Sequence, residues 1–345
     1  MEIVIKDWGD INEDVKLFTL INSKGNSISV TNYGATLVSI IVPDKNEIKS
    51  DVILGFLNIN GYLADTCYIG STIGRYAGRI ENAKFKIDGK VYKLNSNIQP
   101  HILHGGGDGF NKRIWKYRVT DNKGVVFELI SPDGDQGFPG NLHAEVEYIW
   151  NDNNELRINF RSKSDKSTHV NLTNHAYFNL RGDDGSILDH KLKINSVYYL
   201  PMNDGSIITG EFSEVTNTPF DFTIPKSIGN DINSEDKQLK LAGGYDHSFV
   251  LKTENNRNMI LASEVYEPNS GRKMEVYTTY PSIHLYTGNF LTSIMKGKNN
   301  KYYNKQEAFC LETQYIPNTP NHSSFPSSLL KPEEEYFQTT LFKFC

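Results

Sequence analysis

Short runs of alternating or β-branched residues recur from one end of this 345-residue chain to the other, and nothing in it reads as a long amphipathic helix. LVSIIV at 37–42, FKIDGKVYKL at 85–94, GVVFELI at 124–130, AEVEYIW at 144–150 and LRINFRS at 156–162 are each bounded by Gly, Asn, Asp or Pro. Apolar side chains at every second position bury one face of a pleated strand, and the turn formers between runs stop each strand after a few residues. The pattern continues at 190–201, 247–252, 273–288 and 307–315. Asp88-Gly89 is the sharpest local signal, because both central residues of a two-residue type I′ hairpin turn need positive φ. The expected fold is all-β: one large antiparallel β-sandwich.

Length alone leaves the domain count open, since 345 residues hold two ordinary domains or one long β domain. The loop-like stretches 131–141 and 181–186 lack the composition of a flexible linker, so residues 1–345 are read as a single domain. The polar segment 226–240 reads as a surface excursion, and the absence of a fixed-period repeat argues against a propeller or solenoid. Lys and Arg number 36 against 41 Asp and Glu, a balance with no broad positive footprint for nucleic acid or an anionic membrane. The expected partner is a neutral small molecule. MEIVIKDWGD is acidic where a signal peptide is basic, and no apolar run approaches membrane-spanning length, so the expected address is cytoplasmic. Cys67, Cys310 and Cys345 are odd in number and widely spaced, which points to reduced thiols, with neither a disulfide framework nor a cysteine metal site.

Five places hold residues able to do chemistry. In NLTNHAYFNL at 171–180, extended back to His169, a period of two places His169, Asn171, Thr173, His175, Tyr177 and Asn179 on one face and Val170, Leu172, Asn174, Ala176, Phe178 and Leu180 on the other. The odd-numbered face is polar but almost free of the Lys and Glu of a solvated sheet, so it is expected to meet a ligand. HILHGGGDGF at 101–110 matches neither a phosphate-binding glycine spacing nor a metal-ligand set, and by pattern alone is a Gly-rich turn with a hydrogen-bonded histidine. Alternation in FCLETQY at 309–315 puts Cys310, Glu312 and Gln314 together, facing either solvent or a site. Asp246 reads by pattern as a turn residue before a strand or as a ligand group, and Arg79 as a salt-bridge partner or a ligand group.

In order along the chain stand GRYAGRI at 74–80, LHGG at 103–106, NLTNHAYFNL at 171–180, YDH at 245–247, YTGNFL at 286–291, LETQ at 311–314 and PNTPNHSSFPSSLLKPEEEYFQTTLFKF at 317–344. Together they resemble the aldose 1-epimerase, or galactose mutarotase, family over essentially the whole length. The resemblance implies a supersandwich fold and interconversion of the α and β anomers of a free aldohexose, with no cofactor and no metal. It also implies that Glu312 is the catalytic base, that His175 is the catalytic acid, and that Arg79, His104 and Asp246 hydrogen-bond the sugar. His284, which stands where many relatives carry glutamine, is counted with the sugar-binding set; Gly78 stands where an asparagine is common. Other readings to be weighed are a glycoside hydrolase using Glu312 with Asp246, a non-catalytic sugar-binding protein, and an epimerase of hexose 6-phosphates or disaccharides. The chain is expected to be a monomer or a homodimer.

Overall fold

The structure is a computed structural model describing residues 2–9, 14–121, 124–182, 185–252 and 258–345; residues 183 and 184 of the expected loop at 181–186 lie outside it. A nine-stranded antiparallel sheet runs in the order Lys116–Val119, Val125–Ser131, Leu142–Trp150, Glu155–Ser164, Tyr336–Phe344, Lys273–Thr278, Ile260–Tyr266, Lys191–Ile194, Lys226–Ser227. Its strands alternate as their sequences do: Leu142, Ala144, Val146, Tyr148 and Trp150 are buried, and the residues between them are not. A five-stranded sheet from Glu2–Asp7 to Lys49–Asp51 shares that core, where Phe18 packs edge-on against Phe127 at 5.6 Å and the Tyr148 hydroxyl donates to the Ala35 carbonyl. The all-β antiparallel expectation holds.

A second five-stranded sheet carries the site. Three of its neighbouring strands are β1 (Asp246–Val250), β2 (Ser282–Tyr286) and β3 (Cys310–Gln314), with β2 in the middle. Odd-numbered residues of the three, Phe249, Ile283, Leu285 and Leu311, join the main core. Even-numbered residues therefore share the opposite face.

The run expected at 273–288 is two strands in two sheets, Lys273–Thr278 and Ser282–Tyr286. Pro281 removes a ladder donor between them, and the buried Tyr280 hydroxyl holds the corner by hydrogen bonds to the Leu172 carbonyl and the Tyr336 hydroxyl. The run at 190–201 divides similarly into Lys191–Ile194 and Tyr198–Tyr199. Segment 226–240 is more than an excursion: it begins the short helix Lys237–Ala242, capped by the Asp236 carboxylate, and anchors Ile228, Ile232 and Leu239 in the core. At the hairpin between Lys84–Ile87 and Lys90–Lys93, Asp88 and Gly89 have φ of 50° and 80°, the type I′ signature. No helix among the described residues is long and apolar enough to cross a membrane.

Candidate active site

Register puts the polar face of the second sheet together before any side-chain contact is considered. Ser248 lies opposite His284, and His284 lies opposite Glu312, so three polar residues cross β1, β2 and β3 in one row. Asp246 and Gln314 sit one pleat away on the same face. This face floors a cavity of about 180 Å³.

His175 enters from the side. Its backbone N–H donates to Ser71 and its carbonyl accepts from Gly70, both at 2.9 Å, which pins the residue to that segment. The ring lies nearly parallel to Tyr177 at 5.1 Å and to Tyr68 at 6.2 Å. Its Nδ1 is 3.5 Å from Cys310 Sγ, leaving Nε2 to face Glu312 Oε1 at 3.6 Å. The His175 and Glu312 side chains are 7% and 3% exposed, so two groups able to trade protons converge in a largely dry space.

His104 is aimed by the Gly-rich turn. It adopts φ of 52°, and a Cβ on Gly105 would fall 2.0 Å from the Gly74 carbonyl oxygen, so the glycine permits a close backbone crossing. The tight approach at this turn is thus between two protein segments. The Gly78 N–H donates to His104 Nδ1 at 3.2 Å, which leaves the N–H of the neutral ring on Nε2. Burial, reinforced by His175, Arg79 and His284, pushes the His104 pKa well below its ordinary value. Gly78 itself has φ of 78°, and a Cβ there would fall 2.8 Å from Pro317 Cβ. No side chain projects from that point of the wall.

Arg79 lines the cavity, and among the described residues its guanidinium has no hydrogen-bond or ion-pair partner. Asp246 and His284 form a part-buried pair, with Asp246 Oδ1 2.7 Å from His284 Nε2. Burial drives the Asp246 pKa up, but the hydrogen bond and charge of His284, with Arg79 and His247, outweigh it and hold the carboxyl at about 2. For His284, burial works downward while the same hydrogen bond and charge, with Glu312, carry the ring above its ordinary value. Glu312, His175, Arg79, His104, Asp246 and His284 are therefore all brought to one cavity.

The NLTNHAYFNL stretch divides its residues differently from the expectation. Val170, Leu172, Ala176, Phe178 and Leu180 are in the core as the period implied. Most of the polar side meets protein: Asn171 donates to the Ala77 and Tyr315 carbonyls, Thr173 to Thr313, Asn179 to Gly185 and Glu307, and His169 pairs with Ser328. Of that side, His175 and Tyr177 line the cavity. Buried polar groups must be satisfied, and the nearest acceptors are backbone carbonyls of adjoining segments.

Other lining residues went unread. Gln314 carried a usable signal, two positions from Glu312 on one strand face, and its buried Oε1 has no hydrogen-bond partner among the described residues. Tyr68 carried none: its φ of 60° and its stand over His104 and His175 are tertiary facts. Phe290, 59% exposed, stacks on Tyr286 at the mouth and offers an aromatic face of the kind sugar rings pack on.

A buried carboxylate beside an imidazole, with an unpaired guanidinium and an aromatic rim, suits proton transfer on a neutral polyhydroxylated molecule. The sequence profile of the family described as Aldose 1-epimerase matches residues 16–343. The chain belongs to the aldose 1-epimerase family. It is 44% identical over 318 residues to the galactose mutarotase of Homo sapiens, covering 92% of this chain and 90% of the relative. With the aldose 1-epimerase of Escherichia coli (strain K12) it shares 36% identity over 331 residues, 95% of each chain. The crystal structure of galactose 1-epimerase from Lactobacillus acidophilus NCFM superposes with a TM-score of 0.88 at 29% identity, covering 100% of this chain and 98% of that one. The enzyme is thus an isomerase of sugars on a galactose mutarotase fold.

Proposed function

We propose that this epimerase interconverts the α and β anomers of a free aldohexose such as galactose, with Glu312 as base and His175 as acid. The observation that carries the assignment is the 3.6 Å approach of Glu312 Oε1 to His175 Nε2 inside the cavity. The two oxygens that must exchange protons, the C1 hydroxyl and the ring oxygen, are bonded to the same carbon, so acid and base must converge. Glu312 takes the C1 hydroxyl proton as the bond from C1 to the ring oxygen breaks. The electron pair of that bond leaves with the ring oxygen, which takes a proton from His175. Rotation about C1–C2 turns the aldehyde, and reclosure reverses both transfers: Glu312 gives its proton back to the carbonyl oxygen at C1, and His175 regains one from the C5 hydroxyl as that oxygen bonds to C1.

Arg79, His104 and Asp246 hold the sugar by hydrogen bonds, with His284 beside Asp246 in the same cavity. The empty-handed Arg79 guanidinium, the His104 Nε2–H and the ionised Asp246 support this reading. The same reading takes residues 1–345 as one cytoplasmic domain, monomeric or homodimeric, and a core cluster running from Phe18 to Phe344 supports a single domain.

The test is polarimetry on freshly dissolved α-D-galactose. Glu312→Gln should slow the optical-rotation change at least about 100-fold, the usual worth of a positioned base, while sugar binding is retained. A wild-type rate in that variant would remove Glu312 from the mechanism.

A further inference from the structure

His284 lines the cavity, yet both of its ring nitrogens are committed to the protein. Nε2 lies 2.7 Å from Asp246 Oδ1, and Nδ1 lies 2.9 Å from Ser248 Oγ. A carboxylate only accepts, so Nε2 carries a proton in every state of the ring. The Ser248 hydroxyl turns to donate to Nδ1 or to accept from it, so the bridge survives protonation and deprotonation alike. No N–H of His284 is left for a sugar. On Asp246 the reverse holds: Oδ1 is engaged, and among the described residues Oδ2 accepts no hydrogen bond.

We propose that His284 is a positioning residue: bridging Ser248 to one oxygen of Asp246, it keeps that carboxylate ionised and aims its second oxygen at the hydroxyls of the substrate. The proposal rests on the reading of Asp246 as a sugar ligand. Strand register supports it, because His284 sits directly across from Ser248 and one pleat from Asp246, so the bridge is built into the pairing of β1 with β2. Electrostatics point the same way. Burial is the largest influence on Asp246 and favours its neutral form; the His284 hydrogen bond is the first influence opposing it. The other titratable or charged groups acting on the pair are Arg79, His104, His247 and Glu312. None of these four is hydrogen-bonded to an Asp246 side-chain oxygen among the described residues.

Without His284, Asp246 would take up a proton at a higher pH and lose its capacity as a pure acceptor. The experiment measures KM and kcat for mutarotation against pH in wild type, His284→Phe, His284→Gln, Ser248→Ala and Asp246→Asn, with thermal melts to confirm folding. His284→Phe should raise KM roughly 10- to 100-fold, the worth of a hydrogen bond to a charged group, with kcat far less affected. Its KM should climb further as pH falls from 7 to 5, a limb absent from wild type. His284→Gln, whose amide can still donate to Asp246, should restore most of the affinity and remove the acid limb. Ser248→Ala, which keeps the core of β1 intact, should show the same trend more weakly.

If Asp246→Asn raises KM while His284→Phe and Ser248→Ala leave KM and its pH profile as in wild type, the positioning role is wrong and the sugar-ligand reading stands. If Asp246→Asn leaves KM unchanged, that reading fails and the role of His284 falls with it. An unfolded His284→Phe leaves the decision to Ser248→Ala and His284→Gln: a KM and pH profile unchanged in Ser248→Ala, or an acid limb surviving in His284→Gln, overturns the proposal.

Discussion

At the scale of single residues, the site is built from groups whose neighbours leave one valence free. His175 spends Nδ1 on the Cys310 thiol, His104 spends Nδ1 on the Gly78 N–H, and Asp246 spends one oxygen on His284. What remains of each points at the same space. Arg79 is the extreme case, a cavity guanidinium with no partner among the described residues, and its five N–H groups form a planar fork that lysine cannot reproduce. Arg79→Lys should therefore raise KM about tenfold, the size of one lost hydrogen bond, and leave the melting temperature within about 2 °C. Steady-state polarimetry with a thermal melt checks both halves. A drop in stability as large as the loss of affinity would mean that Arg79 holds the fold and not the sugar.

Elements set the faces. Along β1, β2 and β3 the odd-numbered Phe249, Ile283, Leu285 and Leu311 pack in the core while the even-numbered Asp246, Ser248, His284, Glu312 and Gln314 line the cavity, so one antiparallel ladder supplies both a wall of the core and the floor of the site. Glu312, Asp246 and His284 stand on neighbouring strands of that ladder, which limits their motion relative to one another, whereas His104 comes from a turn and His175 from just beyond the short strand Thr173–Asn174. The hairpin at Asp88-Gly89 shows an element set by local chemistry alone. Gly89 has φ of 80°, and a Cβ built there meets nothing within 4 Å, so Gly89→Ala tests backbone strain with no steric clash. The expected loss is about 1 kcal/mol by urea denaturation, with mutarotation unchanged. A neutral result would indicate that the turn relaxes to another type.

Over the whole molecule, burial of histidines couples stability to pH. Burial lowers the pKa of His169 and His190 to about 4 and of His247 to about 3, and carries His104 well below its ordinary value. These groups are neutral in the folded protein and charge in the unfolded chain below about pH 6.5. Their contribution is thus present above pH 6.5 and lost as pH falls toward their folded values, at about 1.4 kcal/mol per pH unit for each histidine taking up its proton only on unfolding. Asp65 works in the opposite direction: burial raises its pKa to about 6 against hydrogen bonds from Cys67 and Ile69, so its contribution is present below pH 3.8 and lost as pH rises through 6. Four histidines outweigh one carboxyl, and urea midpoints should fall steeply between pH 6.5 and 4. A flat profile over that range would show that the histidines are not held neutral.

The order of motifs and the period of the strands were enough to read an all-β chain, its type I′ hairpin and its family, because hydrophobic alternation, turn chemistry and residue order are local or linear properties. The same pattern could not tell whether Glu312 faces water or a cavity, since strand alternation assigns a residue to a side and leaves open what covers that side. Packing decided it, by setting β3 beside β2 with Glu312 opposite His284 and bringing His175 in from a segment 137 positions earlier. Packing also consumed most of the polar face of NLTNHAYFNL, because buried amides and hydroxyls take the nearest carbonyl, and which carbonyl is nearest is a property of the folded chain. The bridge from Ser248 through His284 to Asp246 belongs to the same class. Its three residues are separated by up to 38 positions, and only the pairing of β1 with β2 puts them within hydrogen-bonding distance.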